Sequence, residues 1–353
     1  MNKKRALISG VIVAVMVGLV YLQVREWQKF DWGKFWSQTG DVRWLYVVSA
    51  IALIYATYIP RALRWKILLR PVCRTSTSNL LAPTVIGFTA LALLGRPGEL
   101  ALRPYLIARR TGQTMSDQMA VWTVERIFDT GAFAVLVALD LVASPGLHNL
   151  PYFERFRDAA PFFLVGTVLA LTAFAVAARR SYRRIAPWAE HTVGKVAPGI
   201  GRKVAQKIFA FGEGLNTIHD VSSFVQVVAL SLFIWVLIAL SYHQIVHAYP
   251  APLSEMSIAH VILLMGFSIV GSTVQLPVVG GGAQLATIAA LLHVFSIPHE
   301  LAVSAGIMLW LVTFLAVTPL GLVLAHREHV SLTKVTRESA REQAAEMGAK
   351  PGA

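Results

Sequence analysis

The chain has 353 residues, of which 56% are hydrophobic and only 14% charged, and its mean hydropathy is +0.59. A soluble globular protein does not hold that balance in water, and no polar stretch is long enough to form a soluble domain. The net charge of +13 argues little for nucleic acid, because the basic residues stand in short runs between apolar segments, where they orient membrane spans.

The first apolar segment, 6–22, follows Lys3, Lys4 and Arg5 and has no small-x-small cleavage site before the aromatic stretch that runs from Trp27 to Trp36. It reads as an uncleaved first span rather than a signal peptide. Trp27, Phe30, Trp32, Phe35 and Trp36 fall in the external loop that follows, where their rings suit the headgroup level. Full spans are predicted over 44–60, 119–142, 161–178, 221–248 and 301–325, each near the roughly 20 apolar residues that cross the hydrocarbon core. The sole cysteine, Cys73, excludes an intramolecular disulfide and cysteine-based metal clusters.

Two further apolar regions, 79–108 and 258–295, are broken in the middle, by Gly95-Arg96-Pro97-Gly98-Glu99 and by Pro277-Val278-Val279-Gly280-Gly281-Gly282. Charge places the loops. Residues 61–74 carry five basic residues and no acid, and 179–207 carry eight basic residues against Glu190 alone, so both are expected in the cytoplasm. Residues 144–160 and 250–257 lack such an excess and are expected outside. Only a re-entrant hairpin at 79–108 opening to the cytoplasm, and a hairpin or short helix pair at 258–295 opening outside, keep every loop on its side. The expected fold is therefore an all-α polytopic membrane domain over 1–330, with about six full transmembrane helices, two broken hairpins and the pattern of an inverted repeat. A cytoplasmic tail follows at 331–353, and both termini face the cytoplasm of a cytoplasmic (inner) membrane.

A Pro-Gly break at membrane depth is tolerated only where it faces protein or a wet cavity. Arg96, Glu99 and Arg103 cluster at the first break, together with Pro97 and Gly98. The cluster reads either as an anion site for a lipid phosphate or as a structural salt bridge. Glu125, Arg126 and Asp129 begin a clear span, and charges at such depth normally pair inside the bundle. Arg126 could pair with Glu99 while Glu125 pairs with Arg96 or Arg103, clamping the hairpin; alternatively an arginine stays free for substrate, and the paired carboxylates could relay a proton. At the second break Pro277, Gly280, Gly281, Gly282 and Gln284 supply backbone and amide hydrogen-bonding groups, and the turn lacks the Lys-Ser/Thr of a phosphate loop. His243 and His247, with His260, His293 and His299, read as interfacial polar residues in preference to a metal or pH-sensing site. No HExxH or Gly-x-Ser-x-Gly pattern occurs, and neither a cofactor nor a metal is expected.

Arg96-Pro97-Gly98-Glu99 with Arg103, the Glu125-Arg126-x-x-Asp129 stretch, and Leu276-Pro277 with Gly280 to Gly282 together resemble the flippase-like transmembrane family shared with the membrane half of lysyl-phosphatidylglycerol synthase. The resemblance covers nearly all of 1–330. It implies re-entrant helices and a role in translocating or handling a phospholipid or isoprenoid lipid. Gln284 stands where the family commonly has an acid, which weakens proton coupling at the second break. The segment after residue 330 is read as a tail rather than an aminoacyl-transfer domain, so transport rather than synthesis is implied. The expectation is a non-enzymatic, flippase-like protein whose Arg96, Arg103 and Arg126 attract an anionic headgroup. A membrane-embedded enzyme using Glu99 or Glu125 as base, and a scaffold for lipid-synthesis enzymes, are the competing readings. Membrane lipids are the expected partners, with a homo-oligomer or a lipid-synthesis enzyme left open.

Overall fold

The computed structural model describes residues 32–144, 221–272 and 281–328, with a few isolated positions between 147 and 187. The predictions for 6–22, 161–178, the 179–207 loop, most of 144–160, Trp27, Phe30, Pro277, Gly280 and the tail lie outside those residues. Every regular element among the described residues is helical, and four helices are long and apolar enough to cross a membrane.

A short helix α1 (Trp32–Gly40) precedes α2 (Trp44–Leu69). The prediction ended this span at Pro60 and assigned Arg61 and Arg64 to a loop, but α2 continues through Pro60 for two more turns. A proline removes one backbone hydrogen bond and need not end a helix whose neighbours hold it. Val47, Ala50, Ile54, Tyr58, Arg61 and Trp65 share the buried face at helical spacing, while Leu45, Val48 and Ile59 are exposed. A helix apolar on its outer face as well is suited to lipid.

The first broken region forms two helices, α3 (Thr77–Leu94) and α4 (Arg96–Thr111), joined at Gly95. Ser76 caps α3 by accepting from the Asn79 N–H, and Pro97 occupies the first turn of α4, where its missing donor costs nothing. Gly95 has φ +72°, a left-handed conformation that favours glycine and turns the chain back on itself. The two helices lie antiparallel. Gly98 sits so close to α3 that a Cβ there would stand 2.7 Å from the Ala90 carbonyl oxygen, and Arg110 donates to the Asn79 carbonyl at 2.5 Å.

Helix α5 (Met115–Ala143) starts at a capping box between Thr114 and Asp117, and α6 (Val221–Ala248) matches its predicted span. Helices α7 (Ile258–Gly271) and α8 (Gly281–His293) form the second hairpin. Helix α9 (His299–Trp310) passes through a π-turn at Leu311–Leu315 into α10 (Thr318–Arg327), together one long span.

Helix α6 packs along α2 as their most extensive contact, and the Arg43 N–H donates to the Ala248 carbonyl at 2.9 Å, so the two run antiparallel. The α3–α4 hairpin therefore opens at the C-terminal end of α2, and the α7–α8 hairpin at its N-terminal end. One apolar cluster joins α2, α6, α7, α8 and α9 (Ile54, Ile245, Leu264, Leu291, Leu309), and a second joins α2, α3, α4, α5 and α6 (Trp65, Leu80, Ile107, Val124, Val227). In lipid such packing rests on close contact and interhelical hydrogen bonds, such as Ser241 to the Ala50 carbonyl at 3.1 Å and Tyr242 with Ser268 at 3.0 Å.

Candidate functional site

Three elements bring charge to one depth, and a fourth adds hydrogen-bonding side chains. Helix α2 presents Arg61 and Arg64, α4 presents Arg96, Glu99 and Arg103, α5 presents Glu125, Arg126 and Asp129, and α6 adds Ser231 and Trp235. Arg61 and Arg103 each lie eight residues from the C-terminal ends of their helices, which at ~1.5 Å per residue puts them roughly 12 Å inside the bundle.

Arg64 and Arg103 are fully buried. Arg64 donates to Asp129 Oδ1, to Glu125 Oε1 at 2.6 Å and to Ser231 Oγ at 2.8 Å. Arg103 donates through both terminal nitrogens to Glu125, at 2.8 and 3.1 Å, and its guanidinium lies 4.1 Å from the centre of the Trp65 ring. Arg126 stands 3.1 Å from Asp129 Oδ2, 3.3 Å from Glu125 Oε2 and 3.9 Å from Glu99 Oε1, which also lies 3.8 Å from Arg103. Trp235 fixes the α5 backbone by donating to the Asp129 carbonyl at 2.9 Å. Bidentate arginine–carboxylate geometry is the arrangement that repays desolvation, and removing one member leaves an uncompensated buried charge.

The network is internally neutral: Arg64, Arg103 and Arg126 face Glu99, Glu125 and Asp129. Of the sequence-level pairings, Glu125 meets Arg103 rather than Arg96, and Arg126 approaches Glu99 at the long end of ion-pair distance. Arg64, which joins α2 to α5 and α6, falls in the expected basic loop and outside the expected site because Pro60 reads as the end of the span. The helical spacing of Tyr58, Arg61, Arg64, Trp65 and Leu68 is the signal that carries it.

Beside the network lies a cavity of about 270 Å³. Its charged wall comes from the first half of the chain, with Arg61, Arg96, Glu99, Arg126 and Asp129. Its remaining wall is largely apolar and aromatic, with Phe88, Phe133, Trp235, Met265, Ile269 and Phe314. Thr313 and Phe314 belong to the π-turn, an irregularity often found at functional sites, and Tyr55 donates to the Ala316 carbonyl beside it at 2.5 Å.

Gly281, Gly282 and Gln284 begin α8, and none of them lines this cavity. Gly271 and Gly282 nevertheless hold α7 and α8 in close contact, since a Cβ on Gly271 would meet the Gly282 carbonyl. His243 and His247 stack at 3.9 Å near the end of α6, and His260 packs edge-on against Phe295. No group of three metal-ligating side chains occurs among the described residues.

The family described as lysylphosphatidylglycerol synthase TM region matches residues 7–321, a stretch that contains the whole ion-pair network, the cavity and both hairpins. The chain belongs to that family. The lysylphosphatidylglycerol synthase TM region is a membrane domain, in agreement with the apolar spans and the polytopic helical fold. Comparison with curated proteins and with solved structures gave no match.

Proposed function

We propose that this lysylphosphatidylglycerol synthase TM-region protein handles and translocates an anionic phospholipid or isoprenoid-phosphate lipid, receiving its headgroup in the cavity between the two hairpins. The observation that carries the reading is the cavity's make-up. It joins an arginine-rich wall at membrane depth to an apolar wall, as a molecule with a charged head and a hydrocarbon chain requires. The α4 half of the first hairpin is far too polar to face lipid, which supports reading α3–α4 as re-entrant.

Transport without chemical conversion fits the state of the carboxylates. Glu125 accepts from Arg64, Arg103 and Arg126, and Asp129 is paired with Arg64 and Arg126, which leaves neither poised as a general base. Lys66, Arg70, Arg74 and Arg109 gather at the end where the first hairpin opens, and the Arg110–Glu328 pair ties the end of α10 to the same side. By the positive-inside rule that end faces the cytoplasm of a cytoplasmic membrane. The basic groups there would concentrate anionic lipid at the entrance.

The test is transbilayer movement of labelled anionic and zwitterionic lipids in proteoliposomes. Wild type should move the anionic lipid, and Arg96→Ala should lose that movement while remaining inserted. Equal movement of anionic lipid by wild type and by Arg96→Ala combined with Arg61→Gln would sink the assignment.

A further inference from the structure

The ion-pair network accounts for three of the cluster's arginines and leaves two over. Arg61 is 9% exposed and makes no hydrogen bond or ion pair among the described residues; its guanidinium lies 4.4 Å from the centre of the Phe88 ring. Arg96, exposed at the cavity's rim, has no such partner either. One turn before Arg61, the hydroxyl of buried Tyr58 forms no hydrogen bond among the described residues, and its ring stands 5.5 Å from Phe88. All three side chains line the same cavity. Asp129 and Glu125 act on Arg61 only from beyond ion-pair distance, and a buried guanidinium with no hydrogen-bonded counter-charge is costly, a cost that an anionic ligand in the cavity would offset.

We propose that Arg61, Tyr58 and Arg96 form the binding site for a phosphate monoester carried on an apolar chain, and that the site prefers a monoester to a phosphodiester headgroup. The inference rests on the anionic-lipid reading above and narrows it. A monoester presents three terminal oxygens and a charge of about −1.5 to −2 near neutral pH, matching two unpaired guanidiniums and a free hydroxyl. A diester presents two terminal oxygens and a single charge. Glu99 and Asp129 also line the cavity; Arg126 stands 3.1 Å from Asp129, while Glu99, 3.8 and 3.9 Å from Arg103 and Arg126, accepts no hydrogen bond among the described residues and is free to take one from a protonated phosphate oxygen or a headgroup hydroxyl. The apolar wall of Phe133, Met265, Ile269 and Phe314 would take the first carbons of the chain. An isoprenyl phosphate and a diacylglyceryl phosphate share this chemistry.

The test is native mass spectrometry of the full chain in mild detergent, titrated with farnesyl phosphate, dioleoyl phosphatidic acid, dioleoyl phosphatidylglycerol and inorganic phosphate. At least one monoester lipid should bind about tenfold or more tightly than phosphatidylglycerol, and Arg61→Gln should remove that advantage. Arg43→Gln, at an exposed charge outside the cavity and at the opposite end of α2 from the basic entrance, should leave it intact. Whichever monoester binds more tightly names the chain, and either supports the proposal. Phosphatidylglycerol binding as tightly as the monoesters, in an Arg61-dependent way, would overturn the monoester inference and leave the anionic-lipid reading standing. Arg61-independent binding of every anionic lipid would overturn both. Inorganic phosphate matching the monoesters would remove the lipid chain from the site. Should Arg61→Gln fail to fold, Arg96→Gln at the exposed rim must lose the monoester preference, and an unchanged preference there refutes the proposal.

Discussion

Arg61 and Arg64 are three residues apart on one helix and make opposite demands on the protein. Arg64 is wrapped by Asp129, Glu125 and Ser231, so Arg64→Leu should strand two carboxylates and destabilise the fold by about 3–5 kcal/mol, read as a large loss of thermal stability in detergent. Arg61 has no such partners among the described residues. Arg61→Gln should leave the unfolding midpoint near wild type, or raise it, and lose lipid binding instead. An Arg61 variant as unstable as the Arg64 variant would contradict this division. The contrast also marks where sequence reading ran out. The charged residues on α4 and α5 stood out because they interrupt apolar runs, whereas Arg61 and Arg64 follow a proline and resemble an ordinary basic loop. The helical spacing that runs from Tyr58 to Leu68 is the one signal in the sequence, and it is the neighbours holding α2 beyond Pro60 that place both inside the bundle.

At the scale of elements, the α3–α4 hairpin depends on close approach at its turn. Gly98→Val would push a side chain into the Ala90 carbonyl and Leu94, separating the helices that position Glu99 and Arg103. Gly95→Ala would place a Cβ at φ +72° and ψ −166°, a region nearly confined to glycine, at a cost of about 1–3 kcal/mol. Both should lower thermal stability, Gly98→Val by more, and the reverse order would argue that the turn rather than the helix contact sets the geometry. The break itself was legible because Gly95, Pro97 and Gly98 are turn and cap residues inside an apolar run. The length of α3 was not, because hydropathy cannot separate a helix reaching deep into a bundle from one that crosses it. The π-turn at Leu311–Leu315 left no trace in the sequence pattern, since it shifts register without any proline or glycine within it.

Across the whole molecule, the two hairpins enter from opposite ends of the α2–α6 pair, and both line the cavity beside the charge network. Hydropathy and loop charge were enough to anticipate the polytopic helical architecture and the placing of one broken element in each half. They could not show that charges from α2, α4 and α5 converge at one depth, which depends on how the helices pack. Cys73, the sole cysteine, lies between α2 and α3 at the basic end and serves as a topological reporter. If that end faces the cytoplasm, a membrane-impermeant maleimide should label Cys73 only after cells are permeabilised; labelling of intact cells would invert the proposed orientation.

The most direct measurement is mass spectrometry of the lipids that co-purify with wild type and with the Arg61→Gln/Arg96→Gln double variant in mild detergent. An anionic lipid class enriched in wild type and lost from a variant of unchanged stability is the predicted result. The same unselective lipid in both would contradict a headgroup site in this cavity.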